Sequence, residues 1–507
     1  MRYYITAILL GVTFVSCTNN PRLNQALSLA GSNRTELEKV LRHYSGREDS
    51  LKLRAAQFLI TNMINHAENL TMVYQNGAPV KIDETRFRDS DMLIWFIDSM
   101  CRAGQFQIER SIKKDLETIK SDYLIKQIDL AFEVWKKPWA HRVDFDTFCN
   151  YILPYRGGRE PLSEIRELLY NRYIKALDSA QVSDPVQACR IINAMLKDSI
   201  RYDLKMTYVN YSRPIEHIYQ SGYGGCDDMC LVGLYVMRAV GIPVAKDFTL
   251  WGRMLRGHSW CTVQDNDHQW HAFGAGEDQP DSLLLNFRKY PHRLFAKVYR
   301  ENFRMQENED LIELFSTSNY PKAIYNSFYV KDVTLDYCPP LAISLPIDNH
   351  HRFSFLCVYN ALEWRAVDFA KTDNSLASFE NIGTDFVRGR FNIVYAHCTY
   401  DGSQLIPHSP PFELLFDGEM VVFDSRSEFI DEFYFPMEDS TITYDFFYWD
   451  EAIKNWTKIV PTLIGEKEAL FEHIPSHALF VRQATTSSGK IYRRLAAIRD
   501  NKFTFYT

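Results

Sequence analysis

The 507-residue chain has no basic run, no Cys-x-x-Cys pair, no internal repeat and no low-complexity tract. Each absence removes a class of protein. Nucleic-acid partners need clustered Lys and Arg to neutralise phosphate, and here 57 basic residues face 64 acidic ones, for a net charge of -7. Cysteines without metal-ligand or redox spacing exclude zinc-ribbon and thioredoxin-type sites. His268 and His271, three apart with no third ligand type nearby, read as strand residues rather than metal ligands. No cofactor and no metal is expected. The longest apolar stretch near the start, residues 5–15, is too short to span a bilayer. Without a repeat or a low-complexity tract no long disordered linker is expected.

What the amino terminus does contain is a targeting segment: Arg2, the apolar stretch, then Phe14-Val15-Ser16-Cys17. This resembles a bacterial lipobox, with Phe14 in place of the usual leucine and Cys17 as the residue lipidated after cleavage. The expectation is an exported lipoprotein, anchored to a membrane of the bacterial cell envelope and facing the periplasm or the surface. The alternative is an ordinary secretory signal. Setting Cys17 aside leaves nine of the ten cysteines, an odd number, so at least one thiol stays unpaired within the chain.

Cys226 is the candidate. It stands where Tyr223-Gly224-Gly225 meets a helix that is apolar on all faces, as a buried helix must be. Unpaired N–H groups and the positive dipole end at a helix start favour thiolate, although Asp227 and Asp228 oppose that bias. Cys230 lies one turn on, a poor geometry for a disulfide with Cys226. Further along come Gly241-Ile242-Pro243 and then Gly257-His258-Ser259-Trp260. In this order Gly224, Cys226, Asp228, the Gly-Ile-Pro turn and His258-x-Trp260 resemble the transglutaminase-like superfamily, over roughly residues 184–280. The resemblance implies a papain-like thiol fold with Cys226 as nucleophile and His258 as its base.

One element departs from that family's pattern. Gly274 stands where an Asp would orient the imidazole, a loss that costs several orders of magnitude in a serine-protease triad. Glu277 or Asp278 are the candidates to replace it. Gln220, six residues before Cys226, has the spacing of a papain-like oxyanion donor, although the favoured reading is that it ends a helix over 214–219. Trp251, Trp260 and Trp270 read as core or as walls of an acyl-substrate groove.

The flanking regions give the rest of a multidomain α+β architecture. Residues 1–17 form the signal and lipidated cysteine, and 18–183 a helical domain with helices over 35–44, 51–63, 92–101, 124–135 and 165–176. The first is opened by a Thr35–Glu38 capping box. The transglutaminase-like α+β domain covers 184–325, starting with a helix from Asp184-Pro185 to about residue 200; its stretch from 284 to 303 has no clear pattern. An antiparallel β-sandwich occupies 326–427, with strands over 330–337, 341–345, 353–359, 391–395 and 420–423. A second sandwich or jelly-roll-like domain occupies 428–507.

Two functions follow. The first is an exported cysteine acyl-transfer enzyme acting on peptide or protein amides through a thioester, with hydrolysis favoured over crosslinking. The second is a degenerate scaffold whose C-terminal β domains bind a glycan or protein at the cell surface.

Overall fold

The computed structural model describes residues 20–506 apart from 81, 88–89, 209–212, 253–256, 290–292, 324, 326, 361–362, 385–392, 438–441 and 486–490. The targeting segment and Cys17 lie outside the described residues. Among the described residues no helix is long and apolar enough to cross a membrane. The chain runs from helices through a five-stranded antiparallel sheet to antiparallel sheets of eight, five and three strands.

The first helix, Pro21–Leu29, starts where the Asn20 side chain accepts from the Leu23 N–H. The next, Arg34–His43, begins without the expected Thr35–Glu38 capping box. Glu38 pairs with Arg34 instead at 2.7 Å, and Asn33 donates its amide to the carbonyls of Leu116 and Ile119. Tertiary partners outcompete the local cap. Ser50–Asn62, Ser90–Arg102, Ser121–Trp135 and Arg166–Ala180 follow the predicted apolar spacing.

The 18–183 region is not purely helical, which corrects the expectation of a helical domain. Ala67–Gln75, Ala78–Val80 and Phe106–Lys114 form a three-stranded antiparallel sheet. Its tight turn is Asn76-Gly77, both left-handed at φ 51° and 77°, the residue pair that two-residue hairpins favour.

At the centre lies the Cys226–Ala239 helix, with Val232, Val236 and Met237 fully buried. The helical core and the core around this helix are joined by Trp135, which packs on both. The helix ends at Gly241, whose φ of +82° and closeness to the Val134 carbonyl both require glycine; a Cβ there would approach that oxygen to 2.7 Å. On its other side the helix packs against a sheet ordered Val330–Asp332, Phe295–Glu301, Val244–Trp251, Gly257–Gln264, Trp270–Phe273. The stretch that lacked a pattern supplies the Phe295–Glu301 strand after a Ser282–Lys289 helix.

Towards the carboxyl end, the expected segment 330–337 divides into the Val330–Asp332 strand and a Thr334–Asp336 turn. The strand expected at 391–395 is Val394–Tyr400. The long Glu363–Asp373 strand was not legible, because a bulge opposite Leu356/Cys357 breaks its apolar alternation. Phe355 and Trp364 share one core with Leu479, Val481 and Leu495, so strands on both sides of residue 428 bury a common apolar face.

Candidate active site

Cys226 is the first residue of its helix, and the turn before it is closed by Asp228. The Gly225 N–H donates to Asp228 Oδ2 at 3.0 Å, and Arg213 Nη1 reaches the same oxygen at 3.1 Å. A Cβ on Gly224 would lie 2.4 Å from the Asp228 Cβ. Glycine and aspartate in this motif therefore require each other: one leaves room and the other caps the backbone it frees. Burial pushes the Asp228 carboxyl up, against the pull of Arg213. The half-buried Cys226 thiol is pushed up to about 11 by burial and then by the Asp227 charge, while hydrogen bonding with Ser259 opposes both. Thiol, not thiolate, is the resting form.

Strand alternation decides which residues meet this helix. Along Gly257–Gln264, Cys261 and Val263 pack in the helix core, and Ser259 donates its hydroxyl to Asp227 Oδ1 at 2.9 Å. Lys246 reaches Asp227 at 3.4 Å and Glu301 at 2.7 Å, and its charge holds the Asp227 carboxyl down. His258 and Trp260 alternate to the other face. The His258 ring lies 5.8 Å from Trp251, 6.0 Å from Trp260 and 5.7 Å from Phe287. Burial lowers its pKa to about 4, helped by Arg293 and opposed by Asp227. Among the described residues the ring makes no hydrogen bond, to Cys226 or to any other group. Below it, Trp260 donates to the Tyr337 hydroxyl at 2.9 Å, Tyr337 donates to Asp247 at 2.5 Å, and Arg300 grips Asp247 with two bonds at 2.8 and 2.7 Å.

The profile of the transglutaminase-like superfamily matches residues 175–275, a span that holds the Cys226 helix, the Gly241 turn and the His258 strand. Residues 175–275 are a transglutaminase-like domain. No curated protein sequence matches the chain. Among solved structures, a "putative cysteine protease" from Cytophaga hutchinsonii aligns at 17% identity over 24% of this chain and 39% of its own, with a TM-score of 0.19. Red sea bream transglutaminase aligns at 10% identity over 88% of this chain and 79% of its own, with a TM-score of 0.22.

In the transglutaminase-like domain Gly274 is buried one step beyond the Cys261–Phe273 pair, which places it opposite Trp260 on the His258 face. A Cβ there would lie 3.1 Å from the Glu277 Cβ and 3.6 Å from Glu277 Oε2. The Glu277 carboxyl thus sits beside the space a side chain at 274 would occupy, with its pKa raised by desolvation and by Asp278. It makes no hydrogen bond to His258. Asp278 contributes its carbonyl, which accepts from the Gly274 N–H at 2.9 Å and from Asn193 Nδ2 at 3.1 Å.

Gln220 lies exposed in the Ile215–Ser221 helix. His271 is a strand residue held between Asp265 at 2.9 Å and Asp281 at 2.8 Å. His268 is not; it occupies the preceding turn at φ 62°, a correction set by the tight hairpin. Among the described residues no group of three His, Cys, Asp or Glu side chains is arranged to hold a metal. Trp251 and Trp260 are buried in the core behind His258, and Trp270 lies under the Arg300 guanidinium at 3.9 Å. All nine described cysteines are free thiols.

Sequence reasoning missed Ser259, Lys246 and Asn193. For the first two the signal was available: in a strand of period two, Ser259 shares its face with Cys261, and Lys246 is the cross-strand partner of Cys261.

Proposed function

We propose that the domain is a cysteine acyl-transfer site acting on amide carbonyls of peptides or protein side chains, with water favoured over an amine as final acceptor. The observation that carries this reading is Cys226 at the first turn of a buried helix, whose next residue, Asp227, accepts from Ser259, the residue that follows His258 on the neighbouring strand. The Cys226 Sγ–C bond forms as the thiol proton passes to His258; the tetrahedral adduct collapses to a thioester as His258 returns that proton to the leaving amine. Water then attacks the thioester, with His258 taking its proton and giving it to the departing sulfur. Because thiol and imidazole are both uncharged at rest, His258 acts as a general base on a neutral thiol, and the mechanism requires substrate binding to close the contact between them, which the resting structure does not make. Export and anchoring through Cys17 belong to the same proposal and put the substrate in the cell envelope. Amide cleavage by the wild type, lost in Cys226→Ala and His258→Ala, is the expected result. Cleavage unchanged in Cys226→Ala would overturn it. Metabolic lipid labelling that disappears in Cys17→Ala tests the anchor.

A second reading has an observation of its own. A cavity of about 790 Å³, within the range of small-ligand sites, is lined by Tyr359, Trp364, Tyr400, Trp449 and Trp456. Trp456 lies 5.3 Å from Tyr359 and 5.4 Å from Trp449, so the rings are fixed against one another. Glu363, Gln404 and Asn455 stand among them. A pyranose offers apolar C–H faces to such rings and hydroxyls to such polar groups. In this reading the thiol domain is a scaffold and the β region binds a glycan. Oligosaccharide titration followed by tryptophan fluorescence, lost in Trp456→Ala and intact in Cys226→Ala, is the expected outcome; a flat titration contradicts it.

A further inference from the structure

Where the helical layer meets the carboxyl end of the nucleophile helix, two buried guanidinium groups have no carboxylate partner. Arg166 donates to the carbonyls of Ile152, Leu153 and Arg238. Arg238 donates to the Arg156 carbonyl at 2.7 Å. The nearby acids pair with neither, although Glu160 Oε2 has no hydrogen-bond partner and the charges of Glu160 and Glu301 act on Arg238. Asp115 is gripped by Arg156 with bonds of 2.7 and 2.6 Å, and Glu160 Oε1 takes the Gly157 N–H and the Tyr235 hydroxyl, each at 2.8 Å. Neither Arg166 nor Arg238 forms an ion pair among the described residues.

Both arginines also leave their Nε–H without an acceptor, and so does the Nε2 of Gln127. The three residues are 4%, 9% and 1% exposed and stand in the wall of one small cavity, with Tyr155, Arg156 and Tyr235. About 10 Å³ of it is open to the centre of a water-sized particle, enough for one. Buried donors are almost always satisfied, and an uncompensated buried charge is strongly destabilising. Water would meet the first need and not the second. A small anion meets both: it accepts from all three donors and adds negative charge where three guanidinium groups, those of Arg156, Arg166 and Arg238, face the carboxylates of Asp115 and Glu160.

We propose that this cavity binds a single monatomic anion, chloride, tying Gln127 of the Ser121–Trp135 helix and Arg166 of the Arg166–Ala180 helix to Arg238 of the nucleophile helix. Burial lowers both arginines to about 10, the direction expected of guanidinium groups short of counter-charge. The site is independent of the thiol chemistry.

The test uses the full chain at constant ionic strength. Thermal unfolding is followed in chloride, bromide, gluconate and sulfate, and crystals grown in bromide are measured at its absorption edge. Chloride and bromide are expected to raise Tm saturably, by about 3 °C or more, while gluconate and sulfate, too large for the cavity, do not. Gln127→Leu is expected to weaken the halide effect, and the bromide peak is expected between Gln127, Arg166 and Arg238. Should the variant not fold, the crystal decides alone: a peak in the cavity supports the site. Equal Tm in all four salts, a halide effect unaltered in folded Gln127→Leu, or saturating bromide with only water density in the cavity overturns it.

Discussion

Ser259 donates its hydroxyl to Asp227 across 2.9 Å, and that bond joins the His258 strand to the first turn of the Cys226 helix. The serine between the histidine and the tryptophan, rather than the histidine itself, faces the carboxylate beside the nucleophile. Cys226 is consequently tuned by Ser259 and Asp227 in opposite directions.

Alkylation of Cys226 should follow a titration with its midpoint near 11 in the absence of substrate. Asp227→Asn removes the nearby negative charge and should lower that midpoint; Ser259→Ala removes a stabilising hydrogen bond and should raise it. Moving the midpoint by about one pH unit changes the thiolate fraction at neutral pH about tenfold. Iodoacetamide labelling rates against pH, read by mass spectrometry at the Cys226 peptide, check both signs.

His258 should remain neutral down to about pH 4. The unfolded chain takes up this proton near 6.5 and the native chain only near 4, so its contribution to stability is lost as pH falls through that window. Completed, the loss is about 3 kcal/mol. His271 acts in the opposite sense. Its raised pKa, from Asp265 and Asp281 against burial, gives a contribution present below 6.5 and lost as pH rises through the native value. Histidine NMR titration separates the two, and urea unfolding of His258→Gln should show the shallower loss on acidification.

Gly274→Asp alone should gain little, since Glu277 Oε2 lies 3.6 Å from the new Cβ and its carboxylate would crowd and repel the new one. Combined with Glu277→Ala it restores a carboxylate on the His258 face, and Cys226-dependent amide turnover should rise by an order of magnitude or more. Initial rates of the two single variants and the double variant give the comparison. Equal rates in all of them would show that no carboxylate at this place orients His258.

Asp247 has no exposed surface and holds Arg300 and Tyr337, which in turn holds Trp260. Asp247→Ala leaves the buried guanidinium with Asp336 alone, 3.0 Å away, and should cost about 3 kcal/mol, the low end for a broken buried pair. Urea denaturation should show it as a lower midpoint.

Much of this site was legible in the residues. Gly224, Asp228 and Gly241 are demanded by contacts that admit nothing larger or less polar, and their spacing marks the buried helix and its ends. His258-x-Trp260 marks the strand, and its two-residue period also implies that Ser259 and Cys261 face the helix, a consequence masked by the weight the motif places on the histidine. Asn76-Gly77 announces a hairpin inside a region whose apolar spacing is otherwise helical. Thr35 and Glu38 misled for the opposite reason: a local motif lost to Arg34 nearby and to Leu116 and Ile119, more than 80 residues away. Asn193 offered no local signal, because its partners lie 81–85 residues along the chain.

The most direct test of an acyl-transfer site is the covalent intermediate. Brief incubation with an activated acyl ester, acid quenching and peptide mass spectrometry should find the acyl group on Cys226, with slower formation in His258→Ala and none in Cys226→Ala. Absence of the adduct, or its formation at the same rate without His258, would contradict the account.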